Sequence, residues 1–425
     1  MGGFIFFVKN YTNHFDLIEK RIVSIDSKIN SVDKKINSLI MLSNITNHKN
    51  NVQVVFLLHN LNSWYSLCEI YDNFCKIDQV KVSIIIIEKE NSPYCAAKFL
   101  KEMGMNFIDL SNSDVYQIYS ILASIDPSVV FRQSPWDDDV NEKFSAINLS
   151  NFKVVYIPYY SLNIVKFYEK KTGFNYQVNQ NLHLISWKIY CESKESYNEY
   201  MIDFIGDKSK ILYFGNTKLN YINNYFLNNN KIKGEKIRIL WAPHHSVTND
   251  WLGFGTFHEN CLNFLDLAKK NIFEIKLRPH PLLFKVMSDI YPDILSDFLS
   301  QWETLENTSI DNDWDYLKSF EWSDFLITDG ISFLSEYPLT MKPIIYLDSG
   351  RHDALNDNGV VALKCSYSAL GFDDVEKYID LYKNNKLKPK FEAVVEFKKY
   401  FDIGDNDVSK LIVNDILFSL SDSIK

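Results

Sequence analysis

Four short stretches put groups that can handle phosphate directly after apolar runs: "APHHS" (242–246), "RPHP" (278–281), "TDGIS" (328–332) and "DSGRHD" (348–353). In "KLRPHP", Lys276, Arg278 and His280 fall on one side of an extended segment by the two-residue period, and two prolines stop it. A cation and an imidazole there suit phosphate neutralisation. In "LITDGISFLSEYP", Thr328 and Asp329 end a strand, Gly330 turns the chain, and a helix begins near Ser332. The free N–H groups and positive end of a helix attract anions. Thr328 and Ser332 add hydroxyls, and Glu336, one turn further, is placed to reach a ribose. The same pattern also describes an ordinary strand–helix joint capped by Ser332. His244 and His245 offer a general base or a stabiliser of leaving-group charge. Neighbours on an extended loop point in opposite directions, so the two should have unequal roles. His59, just past "VQVVFLL", is a further candidate base, placed to take a proton from an acceptor hydroxyl.

These groups need a scaffold that brings strand ends together. From residue 52 the chain alternates apolar strands with helical stretches. The first series is "VQVVFLL" (52–58), "VKVSIIII" (80–87), "NFIDL" (106–110), "SVVFRQ" (128–133) and "KVVYIPY" (153–159), closed by "NLHLISWKIYC" (181–191). A second series begins at "KILYFGN" (210–216) and continues through "KIRILWA" (236–242), "IFEIKLR" (272–278), "DFLITD" (324–329) and "KPIIYLD" (342–348). Helices are expected over 374–385 and 407–424. This alternation predicts an α/β fold of two facing doubly wound parallel-sheet domains. The expected units are 52–205 on the acceptor side, 206–370 holding a nucleotide donor, and helices from 371–425 packing back on both. Ligands in such sheets sit beyond the carboxyl ends of the strands, here in the cleft between domains.

Before residue 52 the pattern is different. Phe15, Ile18, Ile22, Ile25, Ile29, Val32, Ile36 and Leu39 alternate spacings of three and four, an unbroken heptad seam. It predicts a coiled coil within residues 1–45 and a homo-oligomer assembled through 15–39, with isoleucine leaning it towards three or four strands.

A length of 425 residues exceeds one ordinary core, and 46 % hydrophobic with 23 % charged residues supports folded domains. A net charge of −9 argues against nucleic-acid binding through overall charge. Six cysteines without a C-x-x-C pair fit a reducing compartment. "FIFFV" (4–8) is too short for a membrane span and lacks a cleavage site, so the expected location is cytoplasmic, with any membrane contact peripheral at the inner face. No metal is expected. Asp137 and Asp139 form a D-x-D pair, but a solvated helix start explains it better. "DNDWDYLKSFEW" (311–322) has Tyr316 where a calcium loop needs Gly and Trp322 where it needs Glu.

"ILYFGNTKLN", "ILWAP", "IKLRPHP" and "WSDFLITDGISFLSEYPLTMKPIIYLD" together resemble the C-terminal half of the CDP-glycerol glycerophosphotransferase family, over about residues 205–365. Those are teichoic-acid and capsule polymer transferases of GT-B architecture. The resemblance implies a cytoplasmic transferase that moves a polyol phosphate or related phospho-substituent from a CDP- or CMP-linked donor, without a cofactor, to a polysaccharide or lipid-linked acceptor. It places Arg278, His280, Thr328, Asp329, Ser332 and Glu336 around the donor diphosphate and ribose, with Asn216 and Thr217 on the hinge side. There are two departures. The family's "DYSS" is "DGIS" here, one hydroxyl fewer. Its H-G-T-P motif, source of the histidine regarded as catalytic, is replaced by "YIPYYSL". Sugar transfer from a nucleotide donor, and a non-catalytic coiled-coil scaffold on a degenerate transferase fold, are the alternative readings.

Overall fold

The structure, a computed structural model, describes residues 51–89, 96–166, 172–228, 236–248, 252–404 and 406–422. The heptad seam lies outside them.

The first sheet comprises β1 (Val52–Leu58), β2 (Val80–Ile86), β3 (Ile108–Asp109), β4 (Val129–Arg132), β5 (Val154–Tyr156), β6 (Lys188–Tyr190) and β7 (Ile211–Leu212). Its order is β3-β2-β1-β4-β5-β6-β7. The second comprises β8 (Ile237–Ala242), β9 (Phe273–Leu277), β10 (Thr308–Ile310), β11 (Phe325–Thr328), β12 (Ile344–Leu347) and β13 (Tyr367–Ala369), in the order β10-β9-β8-β11-β12-β13. All pairings within both sheets are parallel. Strand order reverses between β1 and β4 in one sheet and between β8 and β11 in the other, the positions where open α/β sheets receive ligands.

Burial on both faces explains the near-continuous apolar central strands. Along β8, Ile239 and Trp241 enter one core while Leu240 and Ala242 enter another. Val55 and Leu57 of β1 likewise oppose Val54 and Phe56. Trp241 stacks on Phe264 with ring centroids 3.8 Å apart and on Phe257 at 5.3 Å. Burying such a ring contributes about 2–3 kcal/mol, enough to fix where β8 ends and its histidines begin.

Domain membership differs from the sequence expectation at one strand. Ile211 and Leu212 pair with Ile189 and Tyr190, so β7 is the edge of the first sheet and not the start of the second. The crossover comes later, in the helix Thr217–Asn228. The final helix, Val408–Asp422, returns to the first domain, where Asp415 accepts from Lys188 Nζ and Tyr190 OH, both at 2.6 Å. On the opposite side, the Tyr65 hydroxyl donates to Asp315 Oδ1 at 2.6 Å, and its ring stacks on Tyr221 and Trp314. Among the described residues, no helix is long and apolar enough to cross a membrane.

Candidate functional site

The ends of β8, β9 and β11 face the ends of β1 and β5 across a cleft of about 840 Å³. From the second domain, His244, Arg278, His280, Lys285, Thr328 and Ser332 line it; from the first, His59, Asn60, Lys89, Asp138, Asp139, Tyr159 and Tyr160. Lys218 and Glu336 form part of its floor.

His244 and His280 are set by the same local device. His244 Nδ1 accepts from the Ser246 amide at 3.2 Å and lies 2.8 Å from Ser246 Oγ. His280 Nδ1 accepts from the Leu282 amide at 3.2 Å. In both, a ring nitrogen takes the backbone N–H two residues ahead. A neutral imidazole has one proton, so that proton sits on Nε2, the atom each ring offers to the cleft. Burial holds both rings neutral. It lowers His280 to about 3, with the nearby His245 adding to the effect, and lowers His244 well below its ordinary 6.5. The loops are also tied to each other: His280 N donates to Pro243 O at 3.0 Å, and Arg278 N to Trp241 O at 2.8 Å. His245 is not on the cleft wall. Its ring stacks on His280 with centroids 4.1 Å apart, and burial lowers it to about 4.

Ring nitrogens of His244, His245 and His280 lie within 4.8 Å of one another, a spacing that could close on a metal ion. The hydrogen bonding does not suit one. A ligating histidine gives the metal a lone pair and donates its other N–H. Here the outer nitrogens of His244 and His280 accept, so the cleft receives two N–H groups, which suits an anion.

Several predicted site residues are placed but spent. Arg278 NH1 donates to Asp311 Oδ2 and NH2 to Asp313 O, both at 2.7 Å, so its fork is already engaged within the second domain. Asp329 is buried beneath the wall. It accepts from His244 N at 2.6 Å, Thr256 N at 2.6 Å and Thr256 Oγ1 at 2.8 Å, joining the β8 loop to the next helix. Burial pushes it up to about 6 against the pull of those donors. Gly255 permits this closeness: a Cβ there would lie 2.6 Å from His244 O. The Thr328 hydroxyl donates to Ala242 O at 2.7 Å and accepts from Gly330 N at 2.9 Å. Ser332 opens the helix Ser332–Glu336 as its first residue and not as its cap, and it is exposed to the cleft.

Glu336 is not held out for a ribose. It is 1 % exposed, accepts from Ser161 Oγ of the first domain and pairs with Lys218 Nζ at 2.9 Å. Burial and this carboxylate together push the Tyr316 phenol well up. Asn216 stitches the hinge, donating to Ser161 O and Glu192 O and accepting from Leu219 N at 2.8 Å; it and Thr217 sit beside the cleft, not on its wall.

On the opposite wall, His59 is 7 % exposed and its buried Nδ1 has no hydrogen-bond partner among the described residues. Burial first, and the Arg132 charge second, lower it to about 3. Tyr159 stands edge-on to it, centroids 5.8 Å apart. The D-x-D pair is divided: Asp137 binds Arg132 at 2.9 Å, while Asp139 accepts from Ser134 Oγ at 2.5 Å and still faces the cleft.

Sequence reasoning missed Lys218, Lys285 and Tyr159. Lys218 directly follows Asn216 and Thr217, and Lys285 is in the first turn of the helix Leu283–Ile290, immediately after "RPHP". Among the described residues Lys285 has no ion-pair partner, so it is the cation that the tied Arg278 is not. Tyr159 lies in "YIPYYSL", where the resemblance marked a missing motif.

Solved structures of similar fold include UDP-GlcNAc 2-epimerase from Neisseria meningitidis bound to UDP-GlcNAc (14 % identity, 86 % of this chain and 100 % of that one, TM-score 0.58). They also include the wall teichoic acid polymerase TagF soaked with CDPG (16 % identity, 93 % and 99 %, TM-score 0.55). The fold is GT-B-like. A third, the Methanocaldococcus jannaschii UDP-GlcNAc 2-epimerase in complex with UDP-GlcNAc and UDP, gives 13 % identity, 86 % and 100 % coverage and a TM-score of 0.57. No protein-family model matches the chain, and no curated protein matches it in sequence.

Proposed function

We propose that the protein is a nucleotide-donor-dependent transferase that moves a polyol phosphate or related phospho-substituent from a CDP-linked donor to a surface-polysaccharide hydroxyl. The observation that supports this is the pair of neutral Nε2–H donors, His244 and His280, fixed by backbone amides beside the exposed Ser332 and the unpaired Lys285. In the reaction, the acceptor oxygen bonds to the phosphorus of the transferred group. The bond from that phosphorus to the bridging oxygen breaks, and CMP leaves with its electrons. Charge grows on the departing phosphate, where preorganised donors in a water-poor cleft are worth most. Two imidazole N–H groups and one ammonium meet that need without a metal.

His244 and His280 present protons, so they are leaving-group donors and not bases. The base falls to His59, a neutral imidazole lining the opposite wall of the cleft. Its low proton affinity is raised when a diphosphate brings negative charge beside it. His245 braces the donor pair. The N-terminal wall supplies the acceptor site, which a purely scaffolding role has no use for.

A second reading, sugar transfer from a nucleotide sugar, takes its support from the epimerase structures that hold UDP-GlcNAc. A thermal-shift panel of CMP, CDP, UDP, GDP and CMP-linked compounds separates the two. A ligand at a hundred times its dissociation constant stabilises by about 2.7 kcal/mol. Cytidine preference with slow acceptor-free donor hydrolysis supports the phospho-transfer reading; uridine preference supports the second; binding without any turnover supports a scaffold.

A further inference from the structure

The loop 311–315 leaves the end of β10 in the second domain and seats its aromatic residue in the first. Arg278 holds the loop at two points, through Asp311 Oδ2 and Asp313 O, both at 2.7 Å. Asp311 N donates to Leu277 O at 2.7 Å, so the loop starts tied to the end of β9 as well. Two side chains then fold it: Asp311 Oδ1 accepts from Asp313 N at 3.0 Å, and Asp313 Oδ1 from Asp315 N at 3.3 Å. Trp314 is thereby carried across to Phe99, with ring centroids 3.9 Å apart, and to Tyr65 at 5.8 Å. It packs on the first-domain core that includes Leu61 and Trp64. Asp315 accepts the Tyr65 hydroxyl at 2.6 Å. Tyr316 closes the circuit, edge-on to Tyr65 at 5.3 Å and 5.6 Å from the Arg278 guanidinium.

We infer that Arg278 is a positioning residue: with the loop 311–315 it forms a bracket that sets the spacing between His280 on one wall and His59 on the other. Both ends of the bracket meet the histidines through short pieces of chain. Arg278 and His280 flank Pro279, whose fixed φ leaves little slack. The 3₁₀ helix Leu61–Ser66, which carries Tyr65, follows directly on His59 and Asn60, and Ser63 N donates back to Asn60 O at 3.2 Å. A guanidinium is suited to the anchor because its planar fork fixes two acceptors in one geometry, which an ammonium does not. Reacting groups on facing domains need such a fixed spacing, since small displacements are costly in rate. Giving His59 and His280 roles in one reaction rests on the transferase reading above; the bracket rests on the contacts themselves.

Hydrogen exchange and histidine NMR on the full chain test it, with Arg278→Gln, Arg278→Lys, Trp314→Ala and Tyr65→Phe. Backbone exchange over 61–66, in the other domain from Arg278, should quicken about tenfold in Arg278→Gln and in Trp314→Ala, the scale of losing charge-assisted contacts. Exchange over 186–191, in the same domain but away from the loop, should not change. Arg278→Lys should not rescue, because it keeps the charge and loses the fork. Tyr65→Phe, which removes one hydrogen bond and little packing, should give about a fivefold effect. The side-chain nitrogen signals of His59 should move in Trp314→Ala, although Trp314 is not on the cleft wall. Unchanged exchange over 61–66 in both larger variants, or unmoved His59 signals, overturns the proposal. So does a loss of CDP affinity in Arg278→Gln that Arg278→Lys restores while exchange over 61–66 stays natural, which would make Arg278 a phosphate ligand. A natural chain that binds no CDP removes the donor reading alone, and the exchange and His59 signals still decide the bracket.

Discussion

The cleft holds histidines beyond the ends of three strands, and its two walls treat them differently. His244, beyond β8, has its Nδ1 claimed by a backbone amide, as does His280 beyond β9. His59, beyond β1, has a buried Nδ1 without a hydrogen-bond partner among the described residues. All three are held neutral by burial. The same side chain in a similar dielectric is thus held in one tautomer on one wall and left without a backbone hydrogen bond to fix it on the other. Local backbone geometry, not residue type, makes that difference.

The strongest way to break this contrast is to remove the donors. His244→Ala and His280→Ala should each lower kcat by about 10²–10³, and His280→Gln, which restores an N–H, should recover part of it. His59→Ala should cost less, because a loose phosphoryl-transfer transition state asks more for positioning than for a base. If His59→Ala abolishes turnover while both donor variants stay near the natural rate, the walls have been assigned the wrong way round. His245→Ala should lower melting temperature before it lowers kcat.

The floor joins the two walls, and breaking it should be nearly as costly. Glu336→Ala leaves Lys218 buried without its counter-charge and frees Ser161. A loss of about 3 kcal/mol in urea unfolding is expected, and Lys218→Met/Glu336→Leu should restore part of it. Unchanged stability with weakened nucleotide binding would instead make Glu336 a ribose ligand that swings out on binding.

Acid should probe both walls together. His59 and His280 titrate at about 3 and His245 at about 4 in the folded chain, against 6.5 when free. The unfolded chain therefore binds protons first, and stability falls as pH drops from about 6.5 towards 3. Each such histidine contributes a slope of about 1.4 kcal/mol per pH unit. Asp329 has the opposite sign: raised to about 6 from 3.8, it makes the fold gain stability as pH falls across that interval. Melting curves between pH 7 and pH 5 should show net loss, and His280→Asn should flatten the slope by one proton. A slope unchanged in that variant would mean the ring is not buried neutral. The smallest effect is expected from Ser332→Ala, about 1 kcal/mol in CDP affinity by calorimetry.

Much of the fold was legible in the sequence. Apolar runs located β1, β8, β11 and β12 to within two residues, because strands buried on both faces leave little else to choose. β10 and β13 were not seen: "TSI" and "YSA" are three-residue edge strands with half-exposed side chains. β7 was seen but given to the wrong sheet, since a parallel edge strand reads the same whichever sheet it joins. The polar strand ends of the second domain were legible as a cleft wall. What each group does there was not. Arg278 is spent on Asp311, which follows the unseen β10. The tautomers of His244 and His280 depend on amides two residues ahead, and "HHS" and "HPL" share no pattern that would announce it.

The most direct test is nitrogen-15 NMR of the histidine side chains, selectively labelled, at pH 7 with and without CDP. The account predicts neutral rings protonated on Nε2 for His244 and His280, with those two Nε2–H signals moving on CDP addition. His59 should be neutral and little changed until acceptor is added. Rings protonated on Nδ1 at both positions, or a CDP response confined to His59, would contradict it.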